Sequence, residues 1–116
     1  MPISIWLDKF RDAWVQHDID AVMALFAEDV EYWETPFKKL ESFEELRSEW
    51  QGITDQQDIR LETVLFNNEA GRYAVLWRLS YKNPCGQLRE LAGTYLIEIN
   101  EAGLCTYFHH TGELKP

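Results

Sequence analysis

Basic residues are scarce in this chain. Against 20 acidic side chains stand 11 lysines and arginines in 116 residues, leaving a formal charge of -9 at pH 7. A protein that grips a phosphate backbone needs a basic stripe whose contacts release counterions. Here the cations are scattered singly, so neither nucleic acid nor an anionic membrane is expected as a partner. Cysteine is equally sparse. Cys85 and Cys105 stand in unrelated contexts, with no CxxC pair and no Cys/His spacing of the kind that holds zinc. The expectation is a reduced, cytoplasmic protein with no structural disulfide, no metal site and no cofactor. Long apolar runs are missing too. None approaches the ~18 residues of a membrane span, and MPISIWLDKFRDAW lacks the basic start and unbroken apolar stretch of an export signal.

Large apolar side chains are abundant instead: 46% of the residues are hydrophobic and 14% aromatic, five of them Trp, which rules out disorder and predicts one compact domain over residues 1–116. From Ser4, a plausible N-cap, Trp6, Phe10, Ala13 and Trp14 recur at helical spacing with charged residues between them, to an end near Gln16-His17. Asp18 caps a second, shorter helix through Val22, Met23, Leu25 and Phe26. Val30 and Tyr32 then open a short strand that Pro36 closes. Ser42-Phe43-Glu44-Glu45 has the spacing of a capping box, with Phe43, Leu46 and Trp50 on one face of a third helix ending at Gly52. Four strands follow: Asp58 to Phe66, Arg72 to Tyr81, Leu88 to Ile99 and Leu104 to His110. The short turns between them make neighbours antiparallel. Helices segregated to one side of such a sheet define the α+β class.

That order, with the words DAWVQHDIDAVMALFAEDVEYWETPF, SFEELRSEW and AGLCTYF, resembles the nuclear transport factor 2-like superfamily, in particular its small bacterial SnoaL-like members. The resemblance covers nearly the whole chain. It implies a cone-shaped fold, with three N-terminal helices packed on a strongly curved, mainly antiparallel sheet around an apolar cavity open at its wide end. It also implies a homodimer formed through the outer face of the sheet. The superfamily contains isomerases, dehydratases, cyclases and epoxide hydrolases beside non-catalytic binders, so the fold decides no reaction.

Glu34 shares a strand face with Tyr32, just before Pro36. The ketosteroid isomerase branch carries its general-base Asp in the matching stretch, one residue nearer the proline. A carboxylate at the mouth of an apolar cavity loses solvation and becomes a competent base; the alternative is that Glu34 merely fixes the turn. The same branch places a donor Tyr on the first helix, where this chain has Phe10, and a second donor on the third long strand, where it has Thr94-Tyr95. Which of those two faces inward stays open. The limonene epoxide hydrolase branch uses an Arg and two Asp, and the matching positions read Arg78, Ser80 and His110. Arg78 either points inward to hold a carboxylate, or outward if Val75, Trp77, Leu79 and Tyr81 fill the interior instead.

His109 and His110 are adjacent on a strand and point to opposite faces, so they cannot chelate one ion together. Counting from Phe108 puts His110 inside, as a proton shuttle or as a donor to Glu34, and His109 outside. The candidate catalytic set is therefore Glu34, His110 and Tyr95; Trp14, Tyr32, Phe37, Trp50, Arg78 and Phe108 are candidate ligand contacts. With two known catalytic constellations incomplete, a binder of a small hydrophobic or aromatic molecule is placed first. A cofactor-independent isomerase, dehydratase or cyclase with Glu34 as base comes second, and a dimerisation module with a filled cavity third.

Overall fold

The computed structural model describes residues 2–116. Helix α1 (Ile3–Val15) starts one residue ahead of the expected Ser4 cap, with Pro2 in extended conformation as N-cap. It buries Trp6, Leu7, Phe10, Ala13 and Trp14 and leaves Asp8, Arg11 and Asp12 in solvent. After it, His17 adopts a left-handed conformation (φ 56°) that turns the chain. Asp18 then caps α2 (Ile19–Met23) by accepting from the Ala21 amide at 3.1 Å. Phe26, expected on this helix, instead begins strand β1 (Phe26–Thr35). Apolar spacing continues through both elements, and it hides the switch.

A two-residue turn leads to the short strand β2 (Lys38–Leu40), which the sequence reading does not contain. Helix α3 (Phe43–Trp50) has the expected Ser42 cap, whose side chain accepts from the Glu45 amide at 3.1 Å, while the Glu45 carboxylate accepts from the Glu41 amide at 3.0 Å. The helix does not stop at Gly52 but tightens into a 3-10 turn, Gln51–Asp55. Strands β3 (Gln57–Glu69), β4 (Arg72–Lys82), β5 (Leu88–Ile99) and β6 (Cys105–Leu114) complete the chain.

The sheet order is β2-β1-β6-β5-β4-β3. The four long strands pair antiparallel in sequence, as the short turns demand, while β1 joins parallel to β6 with Tyr32 beside Phe108. The sheet is curved and mixed, and the helices lie on its inner face. Trp6 anchors that contact. Its ring is fully buried, stacks on Phe10 at 5.2 Å, and sends its indole N–H to the Leu25 carbonyl at 3.1 Å. Phe10 and Phe26 extend the cluster to Tyr95 and Phe108 of the sheet.

Two glycines allow the bend. Gly93 of β5 pairs directly with Gly112 of β6, and on its other side with Trp77 of β4. A Cβ on Gly93 would stand 1.9 Å from the Thr111 carbonyl oxygen, and one on Gly112 would stand 2.4 Å from the Trp77 ring. Glycine at these positions lets the backbones close up and gives Trp77 its room.

Candidate functional site

The apolar lining of the candidate site comes from four elements. Helix α1 supplies Phe10 and Trp14, α3 and its 3-10 extension supply Trp50 and Ile53, and the sheet supplies Tyr32, Tyr95 and Phe108. Together with Glu34, Glu49 and His110 they line an open-mouthed pocket of about 160 Å³. Tyr32 lies flat on Phe108 with centroids 4.8 Å apart, and Trp50 meets Trp14 edge-on at 4.9 Å and Phe10 edge-on at 5.3 Å. Trp14 is locked by its indole N–H, which donates to Gln56 Oε1 at 2.8 Å. Such mutually oriented rings make a preformed wall.

Strand phase settles which residues face this pocket. In β4 the buried residues are Val75, Trp77 and Leu79, so Arg78 points outward. There it lines a groove of about 500 Å³ on the opposite face of the sheet, with Arg60, Glu62, Glu90, Glu113 and Lys115. The inward reading of Arg78 is thus corrected: Trp77 takes the interior because the bulkier ring fills the space over Gly112. In β5, Tyr95 is inward and 2% exposed. Phe37 also departs from expectation. It is 98% exposed at the β1–β2 turn, away from the pocket, because the turn swings its side chain into solvent while its amide donates to Thr35 Oγ1 at 3.1 Å.

The structure brings Glu34, Tyr95 and His110 to the same pocket, though not by the contact expected between Glu34 and His110. His110 lies 2.7 Å from the backbone carbonyl of Glu34 through Nδ1, not from its carboxylate. A carbonyl only accepts, so Nδ1 carries the proton and Nε2 is left as the ring's acceptor. The imidazole is held in this orientation by Trp77, stacked on it at 5.2 Å, which itself stacks on Tyr95 at 5.3 Å.

The cation beside Glu34 is Lys38, which sequence reasoning missed. Its Nζ stands 3.2 Å from Glu34 Oε2 at ion-pair distance and 3.3 Å from Glu49 Oε1, so one lysine spans two carboxylates at the pocket rim. These hydrogen bonds and charges raise the lysine's pKa. The available signal was a second strand four residues after Glu34, which Lys38-Lys39-Leu40 is too short and too polar to announce. Glu34 Oε2 is itself buried and is held by Lys38, and the buried indole N–H of Trp50 lies beside the Tyr32 hydroxyl. Burial pushes the Tyr32 hydroxyl pKa well above its usual range, with the Glu34 carboxylate adding to it; burial does the same for Tyr95. Both phenols are therefore neutral hydrogen-bonding groups at any working pH.

Three helices on a curved mixed sheet, closing over an aromatic pocket with a carboxylate and an imidazole at its edge, define a small α+β protein of the cone-shaped, pocket-bearing kind. The chain belongs to the SnoaL-like domain family, whose model matches residues 7–108, within the nuclear transport factor 2-like superfamily. No curated protein matches it by sequence. Among solved structures it is similar to Delta 5-3-ketosteroid isomerase from Mycobacterium sp., with a TM-score of 0.82 and 15% identity over 98% of each chain. It is also similar to a Mycobacterium tuberculosis protein crystallised with estradiol-17beta-hemisuccinate, with a TM-score of 0.78 and 19% identity over 91% of this chain and 89% of that one. A putative polyketide cyclase from Xanthomonas campestris gives a TM-score of 0.74 and 20% identity over 91% and 86%. Identities this low establish the fold and leave the chemistry to the residues.

Proposed function

We propose that the chain acts as one domain that binds a small, largely apolar, single-ring molecule in the pocket between Trp14, Trp50, Tyr32 and Phe108, without a cofactor. The observation that carries this reading is the size of the pocket. About 160 Å³ falls below the ~300 Å³ at which pockets for drug-sized ligands begin, and matches a cavity of about 150 Å³ that holds benzene. The estradiol-17beta-hemisuccinate crystallised with one similar structure is larger than this space. Binding comes before catalysis because Lys38 occupies Glu34 and because Phe10 offers no donor where the isomerase branch has one. Titration with toluene, followed by quenching of Trp14 and Trp50 fluorescence, should saturate with a Kd on the order of 0.1 mM. A linear, non-saturating response would remove the proposal.

A second reading is favoured by the fixed tautomer of His110. An Nε2 free to accept a proton, with Glu34 at the same pocket, supports a cofactor-independent isomerase, dehydratase or cyclase using Glu34 as general base, with His110 or Tyr95 assisting.

The outer sheet face supports a homodimer. Val64 is 62%, Phe66 74%, and Leu76 and Leu96 each 44% exposed, adjacent across β3, β4 and β5. Such a patch is disfavoured on a monomer. Sedimentation should give a dimer for the native chain and a folded monomer for Leu76→Glu; a monomeric native chain at 0.1 mM, roughly a hundred times the micromolar range of ordinary association, would contradict it. A cytoplasmic location suits two free thiols, Cys85 and Cys105. No helix among the described residues is long and apolar enough to cross a membrane.

A further inference from the structure

We infer that the ring bound in this pocket carries a protonated amine, as in a benzylamine, with the ring among the aromatic side chains and the ammonium at the acidic rim. The inference rests on the single-ring reading above and adds the ligand's charge. The charged side chains that line the pocket are Glu34 and Glu49. Lys38 reaches them from outside the lining, at 3.2 Å and 3.3 Å, so the two carboxylates converge on one point that an ammonium already satisfies. One cation against two anions leaves the rim net negative.

The polar groups that this rim offers a ligand are acceptors. Lys38 takes Oε2 of Glu34 and Oε1 of Glu49, and each carboxylate has a second oxygen to offer. His110 has Nδ1 committed to the Glu34 carbonyl, which leaves Nε2 to accept. The indole donors are committed as well, Trp14 to Gln56 and Trp50 to the neighbouring Tyr32 hydroxyl. The neutral phenols of Tyr32 and Tyr95 are buried among the rings and add no charge. A net-negative set of acceptors is complemented by a positively charged donor, and an ammonium is both. The rings favour the same choice, since the face of an aromatic side chain attracts a cation. Glu34 and Glu49 keep 34% and 39% of their side chains exposed, so the ammonium stays at the water-facing edge and escapes the penalty of full burial. The formal charge of -9 draws cations to the chain from a distance. A carboxylate in the same place meets two like charges, and an alcohol supplies a donor without the charge.

Isothermal titration at about pH 7, where an alkylamine is protonated and a benzoate ionised, compares benzylamine and benzoate with benzyl alcohol and toluene. Native protein should bind benzylamine about tenfold tighter than benzyl alcohol, with benzoate weakest. Two variants at the rim move that preference in opposite directions. Glu49→Gln removes an anion and should cut the ratio of benzylamine to benzyl alcohol affinity by about fivefold; Lys38→Met removes the competing cation and should raise it by about the same factor. The ratio is read within each variant, so a general loosening of the pocket does not imitate the result. Equal affinity for benzylamine and benzyl alcohol in the native chain, or a ratio that neither variant moves, overturns this inference alone and leaves the single-ring pocket standing on toluene. If none of the four binds, both readings fall.

Discussion

Replacing Trp50 by alanine is expected to lower stability by about 3–5 kcal/mol and to move ligand preference from one ring to two. The stability loss follows from removing a large ring that is 6% exposed and packed edge-on against both Trp14 and Phe10. Those two neighbours sit on α1, and Trp14 is tied to Gln56, so the wall has little freedom to collapse into the space. The pocket therefore enlarges. Toluene, sized for the native 160 Å³, should weaken by about tenfold as its contacts on one side vanish, while naphthalene gains a site it does not have in the native chain. Urea denaturation gives the first quantity, and isothermal titration with toluene and naphthalene the second. An unchanged ranking of the two hydrocarbons would mean that Trp50 does not set the size limit.

Gly93→Ala is expected to have an effect of similar size through a different cause. The added methyl would meet the Thr111 carbonyl at 1.9 Å and the Gly112 backbone at 2.6 Å, and backbone cannot rotate aside as a flexible side chain does. The β5–β6 pairing must open. Because Gly112 also makes room for Trp77, and Trp77 holds both Tyr95 and His110, the disturbance runs straight into the pocket. We expect a loss of about 3 kcal/mol together with loss of toluene binding. Gly52→Ala is the control: nothing lies within 4 Å of its added methyl, and the change should be neutral or stabilising by up to about 1 kcal/mol. Similar midpoints for the two variants would show that the sheet bend does not depend on Gly93.

Apart from β2, the element order and the α+β class are legible in the sequence because local signals agree with the global fold. The Ser42 cap, the Asp18 cap and the three glycine-bearing turns each mark a boundary that the structure keeps, at most three residues displaced where β3 runs on to Glu69. Phase within β4 is not legible. Leu76 and Trp77 are both apolar, and alternation alone gives no reason to bury the second, at 3% exposed, and expose the first at 44%. The reason is tertiary: Gly112 leaves a hollow that only a large flat ring fills. The ligand-contact reading of Phe37 fails for a similar cause, since composition says aromatic and only the turn's direction says solvent. Strand parity does place Glu34 and His110 inside, but not the atoms through which they meet. That link runs through a backbone carbonyl, a group that no side-chain pattern reveals.

The central claim is that one small ring occupies the space between Trp50, Tyr32, Tyr95 and Phe108. Intermolecular NMR contacts from ring protons of bound toluene, assigned on isotope-labelled protein, test it most directly. The account predicts contacts to the side chains of Trp50, Tyr95 and Phe108 and none to Leu76 or Leu96 of the outer face. Contacts confined to those outer leucines, or to Phe37, would contradict it.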